Sequence, residues 1–120
     1  MLHTVLSALE ELRSPFAFTE NDLHRMVEQR LTEAGIPFVH EARIGPGCRI
    51  DYLAGGVGIE IKNGRPDAKA LARQLMRYAE SADIHALVVV SPRRVSTPKT
   101  VLGKPVHVMI LNQLWGVALP

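Results

Sequence analysis

Two glycines, Gly55 and Gly56, lie between two strand-like runs, Cys48–Ala54 and Val57–Lys62, and they constrain this chain more than any other feature. A two-glycine link is a strong hairpin signal, because the tight turn it closes needs positive φ angles. Pairing then follows by arithmetic, with opposed residues having numbers that sum to 111. Ala54 faces Val57, Tyr52 faces Ile59, and Asp51 faces Glu60. Side chains opposed in this way have Cβ atoms about 4.5–5.5 Å apart. Strand alternation adds Lys62 to the face of Glu60. Two carboxylates and an amine thus gather on one side of a sheet whose other side is expected to carry Ile50, Tyr52, Ile59 and Ile61.

Like charges directly opposite one another are destabilising. A divalent cation between them reverses the sign, and hard carboxylate oxygens suit Mg²⁺ or Mn²⁺. A solvent-facing sheet surface on which Lys62 neutralises the pair is the other reading, and the hairpin alone leaves both open.

Around the hairpin, hydrophobic periodicity orders the remaining elements. Leu2, Val5, Leu6, Leu9 and Leu12 predict a helix over 2–13, ended by Ser14-Pro15. Thr19 is a good N-cap for a second helix with Glu20 and Asp22 in its first turn, an apolar stripe of Leu23, Val27 and Leu31, and Gly35 at its end. Phe38–Ile44 reads as a strand. Asp67 is placed to cap a third helix whose buried side is Ala68, Leu71, Ala72, Leu75 and Ala79. Ile84–Val90 is apolar but for His85, as a central strand covered on both faces would be, and Val106–Leu111 is a further strand. The order α-α-β-β-β-α-β-β describes one α/β domain over 1–120, a mixed central sheet flanked by helices. Residues 1–18 form an N-terminal helical extension and 19–111 the core. The helix between Val57–Lys62 and Ile84–Val90 implies a right-handed parallel crossover.

On these residues the chain resembles the PD-(D/E)XK nuclease superfamily. The family's second-strand acid matches Asp51 in Arg49-Ile50-Asp51-Tyr52-Leu53, and its third-strand Glu-x-Lys matches Glu60-Ile61-Lys62. Gln74 and Tyr78 stand at the Gln-x-x-x-Tyr spacing of the RecB-like branch, on one helical face. The proline of the family name is absent, since Ile50 precedes Asp51. The resemblance covers about residues 19–111 and implies a restriction-endonuclease-like core that hydrolyses phosphodiester bonds. By the same resemblance Asp51, Glu60 and the Ile61 carbonyl would hold Mg²⁺ or Mn²⁺. Lys62 would position the attacking water or stabilise transition-state charge, and Gln74 and Tyr78 would position Lys62, the nucleophile or the substrate phosphate. Members often add a metal ligand from the first core helix. Glu20, on the first turn, is favoured here over His24 and Glu28, with Glu41 a further candidate.

Charge distribution says where a polyanion-binding surface, if there is one, should be built: in the second part of the chain. Residues 1–41 carry seven acids and three bases, a net of −4, whereas 42–120 carry eleven bases and five acids, a net of +6. Candidate phosphate contacts are Arg49, taken as sharing the face of Asp51, Arg65 in the loop after Lys62, and Arg73 and Arg77 on the third helix. Arg93, Arg94, Lys99 and Lys104 follow in an acid-free, proline-punctuated loop. DNA is the expected substrate, with RNA not separable from it by sequence. A chain this short has little room for a sequence-reading module, so structure- or end-dependent cutting in replication, repair or recombination is expected. A homodimer would supply two sites for two strands. A non-catalytic binding module of the same fold is the alternative.

Other classes are excluded. The apolar content of 47% and net charge of +2 argue against disorder. The longest apolar run, Ala86–Val90, is far short of the roughly 18 residues of a membrane span. Glu10 and Glu11 interrupt any secretory leader. One cysteine, Cys48, allows no internal disulfide or cysteine-based zinc site, which fits a reducing compartment and points to the cytoplasm. The five histidines lack zinc-ligand spacing, and His85 and His107 are expected to pack as neutral rings within strands.

Overall fold

The computed structural model describes residues 1–10, 12–14 and 19–113. The elements are α1 (Leu2–Leu9), β1 (Arg13–Ser14), α2 (Glu20–Glu33), β2 (Val39–Gly45), β3 (Cys48–Ala54), β4 (Val57–Ile61), α3 (Ala68–Ala79), β5 (Ala86–Ser91), β6 (Thr100–Val101), β7 (Lys104–Ile110) and β8 (Asn112–Gln113). Six strands form one mixed sheet in the order β2-β3-β4-β5-β7-β6, and β1 and β8 form a separate parallel pair. This is the single α/β domain expected, with a helix crossing between the parallel strands β4 and β5. Among the described residues, no helix is long and apolar enough to cross a membrane.

Local chemistry explains the helix ends. The Thr19 hydroxyl accepts the Asp22 N–H at 3.2 Å, and the Asp22 carboxylate accepts the Thr19 N–H at 2.7 Å, a reciprocal capping box. Those bonds from Thr19 hold the Asp22 carboxyl below its usual range. At the other end Gly35 adopts φ 71°, and the N–H groups of Gly35 and Ile36 bond back to Thr32 and Leu31. The paired bonds make a Schellman stop. Asp67 caps α3 by accepting the Ala70 N–H at 3.0 Å. Helix α1 stops at Leu9, short of the expected residue 13, because Arg13 and Ser14 leave the helix to pair with Asn112 and Gln113. Helical periodicity carries no trace of a partner about a hundred positions away.

The core has two layers, one on each face of the sheet. Val5, Leu9, Leu23, Val27 and Leu31 from α1 and α2 pack on Tyr52, Ala54, Val57, Ile59, Ile61, Val88 and Val90. Leu71, Leu75, Tyr78 and Ala79 from α3 pack on Ala42, Ile44, Ile50, Leu87, Val89 and Val106. Ala68, expected on the buried side of α3, is exposed on its first turn. The segment 2–9 is part of the first layer, so the expected extension is integrated into the core. Strand β5 is buried along its whole length, between two parallel neighbours.

Tyr52 and Ile50 lie in different layers, although alternation predicts one face for both. The slip falls at Asp51. In the neighbouring strand His40 stacks on Tyr52 while Ala42 joins Ile50, and the residue between them, Glu41, has φ 52°. Pairing of β2 with β3 keeps one register on both sides of this point, His40 with Tyr52 and Ala42 with Ile50. Both strands therefore turn over together. A left-handed residue in mid-strand is uncommon outside glycine, and it is what lets the two chains rotate by half a pleat.

Other expectations are corrected. His85 precedes β5 and is exposed against Gly56, where an added Cβ would meet its ring at 2.1 Å; His107 is exposed on β7. Neither imidazole is buried. Lys104 does not belong to the basic loop, since its Nζ donates to the carbonyls of Ala79 (2.6 Å) and Ser81 (3.0 Å) at the end of α3. A cation there satisfies orphan carbonyls and complements the helix dipole. Val101 and Thr100, read as loop, pair briefly with β7.

Candidate active site

The β3–β4 hairpin has the expected register, with Ala54 opposite Val57 and Tyr52 opposite Ile59. The next hydrogen-bonded rung would join Ile50 to Ile61. It does not form. The N–H of Ile61 donates instead to Asp51 Oδ2 at 2.8 Å, so a side chain replaces the strand partner just where β3 turns over. Beyond Ile59 the pair is open on the β3 side, while β4 stays bonded to β5 through Lys62 N–H and the Val90 carbonyl at 2.9 Å. This parting creates a cleft of about 390 Å³ lined by Glu20, His24, Asp51, Glu60, Ile61 and Lys62, with Asn63, Arg65 and Pro66 at its loop side.

Glu60 sits at its floor, only 6% exposed. Its Oε1 accepts the Tyr78 hydroxyl at 3.0 Å; its Oε2 accepts from Gln74 Nε2 at 3.3 Å and lies 3.3 Å from Lys62 Nζ. Gln74 and Tyr78, four apart on α3, thus both reach the same carboxylate. They do not act on Lys62 directly. Burial raises the pKa of Glu60, the charge of Asp51 raises it further, and Lys62 and the Tyr78 bond oppose this. Tyr78 in turn is held protonated, first by burial and then by the charge of Glu60.

The first-helix candidates separate. Glu20 and His24 line the cleft. Glu28 is turned away, accepting the Tyr52 hydroxyl at 2.6 Å, with His24 Nδ1 3.2 Å from that hydroxyl and His40 stacked on its ring. Glu41 is exposed and pairs at 3.9 Å with Arg49. Because β3 turns over at Asp51, Arg49 does not share its cleft; it borders a different depression with Arg43, Gly45, Gly47 and Cys48. Arg65 reaches the cleft. Arg73 and Arg77 line an adjoining groove with Lys62 and Gln74. Arg93, Arg94 and Lys99 are exposed between β5 and β6 and line neither. Asn63, in the cleft, was not singled out in the sequence; its only signal was its place next to Lys62.

Among the described residues no three His, Cys, Asp or Glu side chains converge as a ready-made ligand set. The chemistry of Asp51 and Glu60 nevertheless fits a dication. Their oxygens are hard donors, Asp51 Oδ2 and Glu60 Oε1 each accept a single bond and keep a lone pair, and the charge of Asp51 disfavours charge on Glu60. No family model, curated protein or solved structure matches the chain.

Proposed function

We propose that this chain is a metal-dependent nuclease of the PD-(D/E)XK type, hydrolysing DNA phosphodiester bonds in a structure- or end-dependent way. The supporting observation is the convergence of Asp51, buried Glu60 and Lys62 in one cleft, where the hairpin ladder gives way and side chains replace backbone partners. An acid pair and a lysine kept together at the cost of burial and repulsion make sense around a phosphate and its cation.

Asp51 and Glu60, with the Ile61 carbonyl, would hold Mg²⁺ or Mn²⁺; Glu20 lines the same cleft but does not converge with them into a three-residue ligand set. Bound there, the ion supplies Lewis acidity, lowering the pKa of a water and neutralising phosphoryl charge. Lys62 contributes a fixed positive charge beside the reacting phosphate, orienting the water or meeting the charge that grows in the transition state. Tyr78 and Gln74 act through Glu60, locking its carboxylate so that its orientation needs no rearrangement during reaction. Arg65 offers a further phosphate contact at the cleft's loop side. Cutting both strands of a duplex takes two such sites, which a homodimer would provide, and a reducing cytoplasm suits the unpaired Cys48.

The test is cleavage of linear, nicked, single-stranded and branched DNA during Mg²⁺ and Mn²⁺ titration. Products that vanish with EDTA and with Asp51→Asn support the proposal. DNA binding with no cleavage of any substrate replaces it with a non-catalytic module.

A further inference from the structure

Helix α3 carries Lys69, Arg73 and Arg77 at successive four-residue steps, each one turn or about 6 Å along its axis. All three are exposed, and between the capping residues Asp67 and Glu80 the helix contains no acid. Like charges four apart weaken a helix, and a solvated face ordinarily mixes signs to avoid this. Here two unfavourable pairs stand in series with no opposing charge on the helix. Arg73 makes no hydrogen bond or ion pair among the described residues. Arg77 donates from one nitrogen to the Gly47 carbonyl at 3.2 Å, leaving the rest of its guanidinium free for a ligand.

The stripe has a place to act. Arg73 and Arg77 line an open groove of about 560 Å³ with Lys62, Pro66, Asp67 and Gln74. Lys62 and Pro66 belong to the Asp51 cleft as well, so groove and cleft are continuous. The one acid in the groove lining, Asp67, is engaged in capping Ala70. We propose that a single nucleic-acid strand follows α3 between cleft and solvent, its phosphates held by Lys62, Arg73 and Arg77. The choice of one strand comes from the geometry. The helix offers a single row of cations, whereas a duplex presents two phosphate rows across a major groove about 12 Å wide. The proposal rests on the cleft being a phosphodiester site, and it places the strand along α3 instead of over the exposed segment of Arg93, Arg94 and Lys99.

The experiment is fluorescence anisotropy of a labelled, mixed-sequence single-stranded DNA oligonucleotide, in EDTA, over a salt series. EDTA separates the two readings, because binding tests the groove and Mg²⁺-dependent cleavage tests the nuclease. Wild type is expected to bind more weakly as salt rises. Each phosphate contact contributes about 0.7 to the slope of log K against log salt on single strands. Arg73→Gln/Arg77→Gln should therefore flatten that slope by about 1.4 and weaken binding at least about tenfold. Arg93→Gln/Arg94→Gln should leave both unchanged. Arg73→Gln alone, which disturbs no internal bond, should flatten the slope by about half as much, and guards against misfolding of the double variant. An unaltered slope in the α3 variants, a loss carried by Arg93 and Arg94, or wild type that does not bind at low salt overturns the proposal.

Discussion

The two tyrosines of this chain lie on opposite faces of one sheet, and each hands its hydroxyl to a glutamate. Tyr52 donates to Glu28 on the α2 side and Tyr78 to Glu60 on the α3 side. Both phenols are buried, and burial is the first cause of the upward shift of each. Their glutamates differ. The Glu28 side chain is 38% exposed and its company is two imidazoles, whereas Glu60 is enclosed beside a second carboxylate and a lysine. Water can share the charge of Glu28. Glu60, only 6% exposed, is met mainly by protein groups. The same hydrogen bond thus closes a packed layer on one face and, on the other, fixes a carboxylate that lines the cleft.

Four measurements can break or sharpen that contrast. Glu60→Gln should abolish Mg²⁺-dependent cleavage, a loss beyond the roughly 100-fold expected from removing one transition-state donor, while Glu28→Gln stays within a few-fold of wild type. Equal losses in both would erase the distinction. Lys62→Ala should cost about 100-fold in kcat with the fold intact by circular dichroism; a full-rate variant removes the lysine from the chemistry. Tyr78→Phe should raise the Mg²⁺ concentration needed for half-maximal rate by about tenfold. Tyr52→Phe should instead lower stability by about 1–2 kcal/mol in urea unfolding and leave the metal dependence alone. The smallest effect is on alkaline stability. In the unfolded chain both phenols ionise near 10.0, whereas the fold holds them protonated above that. The stabilisation is complete below pH about 10 and declines as pH rises past it. Tyrosinate absorbance should accordingly appear only together with loss of secondary structure. Tyrosinate forming near pH 10 in a fully folded chain would show that neither hydroxyl is held.

What could be read in advance depended on how local its cause was. Gly55 and Gly56 set the register of a short hairpin by turn chemistry alone, and Gln74 and Tyr78 share a face because a helix repeats every 3.6 residues. Glu60 and Lys62 were therefore placed on one face by alternation, whereas Asp51 meets them beyond the end of the ladder, through the Ile61 N–H and not as the strand partner of Glu60. The reversal of faces at Asp51 was hidden, because it depends on Glu41 adopting a left-handed conformation that a glutamate rarely takes. That backbone angle coincides with the place where Ile50 joins the α3 layer and Arg49 leaves the cleft. The end of α1 and the role of Lys104 were hidden for another reason, since each depends on a partner distant in sequence.

Lys104 also bears on how firmly the site is held. The Asp67 bond is local to the first turn of α3, whereas Lys104 ties the last turn to β7, with Gln74 and Tyr78 between them. A rod anchored at its far end resists sliding when pulled near its middle. Any load on the arginines of α3 would pass in part into that anchor instead of tilting the carboxylate at the bottom of the cleft.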